Sequence, residues 1–297
     1  MKNDSLVDFR EAMQGAGIFL AADAHIVPDG QLHRARAADD KVGALSIWYN
    51  FHPDAPASGV AGNWRTGAKM TWCSKRLSAL SASERAEMTR RMAEDRRRAQ
   101  DAQEARHHEA AQRATRTWAQ AAPADPNHAY LVKKQIAPGI ARQSGGALVL
   151  PILDFTGQLH GLQFISEDGG KRFISGMSKV GHFIPTTDEL PDGIRPLWLS
   201  EGWATACTLQ AMRPEVCCIA GLDAGNLLSA ATEARKRWPK LDLVVCHDFD
   251  EVGRQKGRAA AIAARARILP PPAVIPEGCT DWNDVLNARR GVPHVHP

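Results

Sequence analysis

Leu241-Asp-Leu-Val-Val-Cys-His-Asp-Phe-Asp250 is the stretch that decides how this chain is read. Its first half is short, apolar and rich in valine, the composition of a strand buried on both faces. It then breaks into two aspartates one residue apart. In extended chain, positions i and i+2 point to the same side, so Asp248 and Asp250 can face one pocket. A helix is predicted beyond them, from Arg254 to Leu269.

The same rhythm continues outward. Leu197-Trp-Leu-Ser200 reads as a strand and Ala204 to Met212 as a helix. Val216 to Ala220 reads as a strand, Leu227 to Trp238 as a helix, and Ala273-Val-Ile275 as a fourth strand. Short apolar strands alternating with helices predict a parallel sheet covered on both faces. Right-handed crossovers place every strand's carboxyl end on one edge, and that edge is where open α/β sheets bind ligands. Glu201-Gly202 follows the first strand, Asp248 and Asp250 the third, and Asp281-Trp-Asn-Asp284 the fourth. Clustered carboxylates repel unless a cation sits between them. Hard oxygen ligands, with no Cys/His set nearby, favour Mg²⁺ or Mn²⁺ over zinc. Gly202 and Gly253 would let the backbone approach a phosphate, and the helix after the aspartates adds N–H donors. A single E-G or D-x-D is more often a cap or a solvated turn. The information lies in their order, each at the end of an apolar strand.

Four segments taken together resemble a known domain: Ser200-Glu-Gly-Trp-Ala-Thr-Ala206, Ala220-Gly-Leu-Asp-Ala-Gly-Asn-Leu-Leu228, His247-Asp-Phe-Asp-Glu-Val-Gly253 and Thr280-Asp-Trp-Asn-Asp284. They resemble the Toprim domain of bacterial-type primases, topoisomerases and some nucleases, most of all in primases of conjugative plasmids and phages. The resemblance implies that Glu201 is a general acid/base or metal ligand and that Asp248 and Asp250 hold a divalent ion. It adds Asp281 to the acidic set, and Asn226, with Asp223, as part of a plasmid-type motif, Asn226 being a candidate nucleotide or DNA contact with turn and helix-cap duty as the alternative. Thr205 stands where cellular replicative primases carry an aspartate, a departure that the plasmid-type pattern shares. The implied activity is that of a nucleotidyltransferase, a DNA primase making short primers from nucleoside triphosphates on a single-stranded DNA template. The alternatives are a Toprim nuclease and a non-catalytic single-stranded-DNA-binding replication partner. No G-x-x-x-x-G-K-[ST] occurs, so unwinding would fall to a separate replicative helicase.

Upstream, the composition divides the chain. Residues 1–80 read as a small mixed α+β module with glycine-punctuated turns around Trp64 and Trp72. Those two rings, with Arg65 and nearby Lys69, Lys75 and Arg76, are candidates for a single-stranded-DNA platform; a small aromatic core is the plainer alternative. Residues 81–122 open with the capping box Ser81-Ala-Ser-Glu84 and read as a long charged helix, most simply a solvated spacer. Residues 123–194 read as an α+β primase subdomain, with the hairpin Ala147–Leu153/Gln158–Ile165, and 195–297 as the Toprim catalytic domain. Lys171, Arg172, Arg254 and Lys256 are the candidate contacts to nucleotide or DNA, each also readable as solvated surface charge. The whole chain has 297 residues, 44% hydrophobic and 24% charged, with a net charge of +4. These values fit a globular protein and permit a polyanionic partner without demanding one. No apolar run approaches membrane length, which argues against membrane association. The opening residues lack a secretory h-region, and the six cysteines form no C-x-x-C pair. A reducing cytoplasm is therefore the expected location.

Overall fold

A computed structural model describes residues 2–291, in two units, Met1–Gln103 and Glu104–Pro297. The first unit opens with helix α1 (Lys2–Gly15). An antiparallel sheet follows, made of β1 (His33–Ala35), β2 (Ile47–His52), β3 (Ser58–Asn63) and β4 (Lys69–Cys73) in sequential order. Strand alternation divides its faces. Ile47, Tyr49 and Phe51 of β2 pack with Phe9 and Met13 of α1 into one core.

Helix α2 (Ala82–Gln120) begins at the expected capping box. Ser81 Oγ accepts the Glu84 N–H at 3.2 Å, and Glu84 Oε2 accepts the Ser81 N–H at 2.9 Å. The helix is not a bare spacer. In the first unit, Asp95 meets His52 Nε2 at 2.7 Å. In the second, Ala110 and Ala114 are fully buried and the Arg142 guanidinium lies 4.4 Å over Trp118. Charge along a helix hides such anchors, because alanine leaves almost no apolar signature.

The second unit contains β5 (Ala122–Pro123), α3 (Ala129–Lys134), β6 (Arg142–Ser144), β7 (Ala147–Leu153), β8 (Leu159–Ser166) and β9 (Lys171–Phe173). These strands form an antiparallel sheet in order, with β7 and β8 as its long hairpin. Beyond it come β10 (Ile184–Pro185), β11 (Leu197–Ser200), α4 (Trp203–Met212), β12 (Cys217–Ala220), α5 (Leu227–Arg237), β13 (Leu243–Cys246), α6 (Glu251–Ala264), β14 (Arg267–Ile268) and α7 (Trp282–Arg289). The second sheet runs β10-β12-β11-β13-β14. Its last four strands are parallel, and β10 caps one edge antiparallel. One face packs Cys218, Val244 and Cys246 against Trp203 and Leu209 of α4. The other packs Leu199, Ile219 and Val245 against alanines 230, 231, 234, 260, 261 and 264 of α5 and α6. The near absence of large side chains there lets both helices lie close to the sheet.

Two expectations need correction. Arg265, at φ +49°, ends α6 four residues before Leu269. The fourth parallel strand is Arg267–Ile268, not residues 273–275. Pro270, Pro271 and Pro272 precede that segment and Pro276 follows it, and proline cannot donate to a ladder. Val274 is accordingly 72% exposed. Among the described residues no helix is long and apolar enough to cross a membrane.

Candidate functional site

Strand order changes direction between β11 and β13. From β11 the chain crosses first to β12 on one side, then back over to β13 and β14 on the other. A topological switch point opens a crevice beyond the carboxyl ends of its two strands. Here Ser200 and Cys246 are register partners at the two tips, so Glu201 and His247-Asp248 emerge next to each other.

Glu201 turns toward β13. Its Oε1 accepts the Asp248 N–H at 3.0 Å, and the residue is only 8% exposed. Asp250 caps α6, with Oδ1 accepting the Gly253 N–H at 2.6 Å. Gly253 is what lets these groups converge. A Cβ at that position would sit 2.7 Å from Glu201 Oε1, 2.8 Å from the Asp248 carbonyl and 3.0 Å from Asp250 Oδ1. The glycine read from sequence as a place for phosphate to approach is filled by the protein's own carboxylates. One turn on, a Cβ at Gly257 would strike His247, 2.5 Å from its Cβ and 2.7 Å from its ring, so α6 presses its two glycines onto this loop. His247 Nδ1 lies 2.7 Å from the Asp248 carbonyl.

The electrostatics follow from this crowding. Asp248 Oδ1 is buried with no hydrogen-bond partner. Burial first, then the charges of Glu201, Asp281 and Asp250, push its pKa up to about 8, with Lys171 opposing. Glu201 is also raised, chiefly by burial, with the Asp250 charge adding and the Asp248 N–H opposing. An orphaned carboxylate oxygen among further carboxylates is a poor resting place for negative charge and a good one for a hard cation. Among the described residues no three His, Cys, Asp or Glu side chains gather closely enough to cage a metal by themselves. Mg²⁺ does not require such a cage, since it commonly takes one or two carboxylates and completes its shell with water and substrate phosphate. The donor set fits a divalent ion of that kind.

The other acidic residues do different work. Asp281 Oδ1 caps α7 by accepting the Asp284 N–H at 2.8 Å, while its charge still acts on Asp248. Asp284 is saturated. It accepts from Lys134 Nζ at 3.1 Å, from Thr280 N at 3.1 Å and from Thr280 Oγ1 at 2.9 Å. Asp223 caps the turn before α5 and meets Lys179 Nζ at 3.2 Å.

The basic and aromatic candidates separate. Lys171 is exposed on β9 but sits within the influence of Asp248 and Asp281. Its pKa is lowered, by the protein packed around the ammonium and by the like charge of Lys134, against the pull of those two aspartates. Arg172 lies 4.2 Å over the Phe164 ring. Arg254 is occupied by the Phe249 carbonyl and by Glu251 Oε2 at 3.1 Å. Lys256 lies on the exposed side of α6. Asn226, expected to reach nucleotide or DNA, is instead a clamp. Its Nδ2 donates to the His182 and Gly221 carbonyls, both at 2.9 Å, and its Oδ1 accepts the Gly181 N–H at 2.9 Å. In the first unit, Trp64 and Trp72 do not share a platform. Trp72 pairs with Gly59 and joins Phe9 and Phe51, while Trp64 lies beyond the opposite end of the β3–β4 pairing. Arg65 is held by Asp39 and Asp40. Sequence reasoning missed Lys134, whose only signal was a basic residue in the last turn of α3, and the packing roles of Gly253 and Gly257.

Residues 197–291 match the Toprim domain family. Over 280 residues, 89% of the chain, the sequence is 32% identical to a DNA primase TraC of Escherichia coli. Over 279 residues it is 30% identical to a second E. coli protein of the same name. The match spans 19% and 26% of those two proteins, so the chain corresponds to about a quarter or less of the curated relatives it matches. Among solved structures, the primase fragment of the bacteriophage T7 primase-helicase protein aligns with a TM-score of 0.40 and 18% identity, over 54% of this chain and 65% of that one. The chain carries a Toprim domain at its C-terminal end and is homologous to DNA primase TraC.

Proposed function

We propose that this chain is the catalytic part of a DNA primase of plasmid or phage type, making short primers on single-stranded DNA by metal-dependent nucleotidyl transfer. The observation that carries the reading is the buried, partnerless Asp248 Oδ1 at the switch point, with Glu201 hydrogen-bonded beside it. Homology to DNA primase TraC over 89% of the chain supports it.

Toprim folds are in general divalent-metal dependent. In this chain Asp248 and Asp250, with Glu201 and Asp281 adjoining, would hold the ion, Mg²⁺ or Mn²⁺. Bound there, it would neutralise charge on nucleotide phosphates. The protein's own groups do the remainder. Glu201, with its pKa already raised, suits the acceptance and return of a proton at the attacking 3′-hydroxyl. Lys171 faces the same acidic crevice and offers a cation to the triphosphate or the leaving pyrophosphate. Arg172 and Lys256 are exposed cations available to the template backbone. Phe249 and Trp282 pack edge to face, 5.7 Å between centroids, and hold the Asp248 loop against α7. A separate helicase would supply unwinding.

The test is direct. Single-stranded DNA, labelled nucleoside triphosphates and Mg²⁺ or Mn²⁺ are incubated with the protein and resolved on a gel. Short labelled oligomers, absent with Asp248→Ala, are the expected result. Shortened template without labelled oligomers would instead mean a nuclease, and retained template with neither product a binding partner.

A further inference from the structure

In the β-sheet of the first unit, one face belongs to α1 and the other is divided. Residues directly opposite in an antiparallel sheet share a face. The second face therefore carries three rows: Arg34, Trp48, Gly62 and Lys69; Asn50, Val60 and Thr71; and His52, Ser58 and Cys73. Helix α2 roofs the last two rows, leaving a cavity of about 270 Å³ lined by Val60, Thr71, Met88, Met92 and Arg96 among others. The first row lies beyond that lining.

What stands on the first row is unusual for solvent-facing sheet. The Trp48 indole occupies the space that a side chain at Gly62 would need, 2.5 Å from an ideal Cβ there. Trp64 packs on Trp48 with ring centroids 5.8 Å apart and remains 61% exposed. Lys69 is exposed directly opposite Gly62. The segment from Trp64 to Arg76 holds four cations and no acidic residue. Arg65 and Lys75 are engaged by acids, which leaves Lys69, together with Arg34 opposite Trp48, as the cations of this row without an ion pair among the described residues.

We infer that the row of Trp48, Trp64 and Lys69 is a binding platform for single-stranded nucleic acid, with a base stacked on Trp64 and a backbone phosphate on Lys69. An exposed indole offers a face that any base can stack on, and the adjoining ammonium selects a polyanion over an apolar peptide. This replaces the pairing of Trp64 with Trp72 expected from sequence, and it rests on the proposal that the chain takes a single-stranded template.

The test uses the full chain, a 5′-labelled oligo(dT) and fluorescence anisotropy, with chelator present to silence the acidic crevice. Trp64→Ala should weaken binding about tenfold, and Trp64→Phe should recover most of the loss. Lys69→Gln should lower the slope of log affinity against log salt by about 0.7. Absence of binding by the parent, variants that bind like the parent, or equal competition by a duplex of the same length would each overturn the platform. Primer synthesis at saturating template separates the two proposals. Primers made while Trp64→Ala binds like the parent overturn the platform and leave the activity standing. Trp64-dependent binding without primers overturns the activity and leaves the platform.

Discussion

Asp248, in the loop after β13, and Asp284, in the first turn of α7, lie at the same end of the second unit, and their surroundings are opposite. Burial drives both toward the neutral form. At Asp284, Lys134 and the Thr280 N–H and hydroxyl outweigh burial, and the pKa ends below the usual carboxylate value. At Asp248 the neighbouring charges have mostly the same sign, one oxygen has no donor, and the pKa ends near 8. One carboxylate is finished by the protein and fastens α3 to the loop before α7. The other is left unfinished. Motif spacing presents the two alike. Only the donors around them separate a structural acid from one prepared for a ligand.

The largest break in this comparison comes from Asp248→Asn. Primer synthesis should fall by at least about a hundredfold, the scale of losing one preorganised electrostatic group. Stability should move the other way. The folded pKa of Asp248 is raised above 3.8, so no penalty exists below about pH 4; it grows as pH rises and is complete above about pH 8. In chelator, the Asn variant should therefore melt higher than the parent at pH 8, and the two should converge at pH 4. Adding Mg²⁺ at pH 8 should raise the parent's Tm, by about 2.7 kcal/mol of stabilisation at a hundred times the Kd, and leave the variant unmoved. A Tm difference that stays flat across pH would remove the claim that Asp248 is held against its charge.

Gly253→Ala sharpens the contrast by disturbing geometry without touching a charge. Its methyl group would meet Glu201 Oε1, the Asp248 carbonyl and Asp250 Oδ1 together. Overpacking of this kind costs about 1–3 kcal/mol, and activity should fall at least about tenfold as the carboxylates part. Gly202→Ala is the control, because the nearest atom to its Cβ would be Thr205 Oγ1 at 4.0 Å. If both variants keep full activity, the convergence at Gly253 has no functional meaning.

What the sequence made legible was the part governed by period and order. Apolar runs of four to six residues, alternating with helices, placed β11, β12 and β13 and brought Glu201 beside Asp248. The rest depended on partners distant in the chain. Residues 273–275 looked like a strand because the apolar signal is local, whereas the prolines on either side decide pairing. Asn226 looked like a ligand contact because an amide's partners, here Gly181, His182 and Gly221, cannot be read from its neighbours. Trp72 looked available for stacking, but the Phe9 ring, seated where a Cβ at Gly59 would stand, and Phe51 already pack against it. The anchoring of α2 was silent, since Ala110 and Ala114 carry almost no hydrophobic signal.

The smallest expected effect tests the finished side of the comparison. Asp284→Asn removes a charge that Lys134 and Thr280 satisfy, and it should cost about 1–2 kcal/mol of stability at pH 7. The sign with pH is opposite to that at Asp248. A depressed folded pKa contributes stability above the unfolded value of 3.8, and that contribution is lost as pH falls through the folded pKa. Parent and variant should thus draw together in acid here too, but from the opposite side, with the parent rather than the variant melting higher at pH 7. Activity per folded molecule should stay within about twofold, because Asp284 spends both oxygens on Lys134 and Thr280 and leaves none for a cation. A hundredfold loss of primer synthesis in a variant that still folds would place Asp284 beside Asp248 in function, and the distinction drawn from their hydrogen-bond partners would fail.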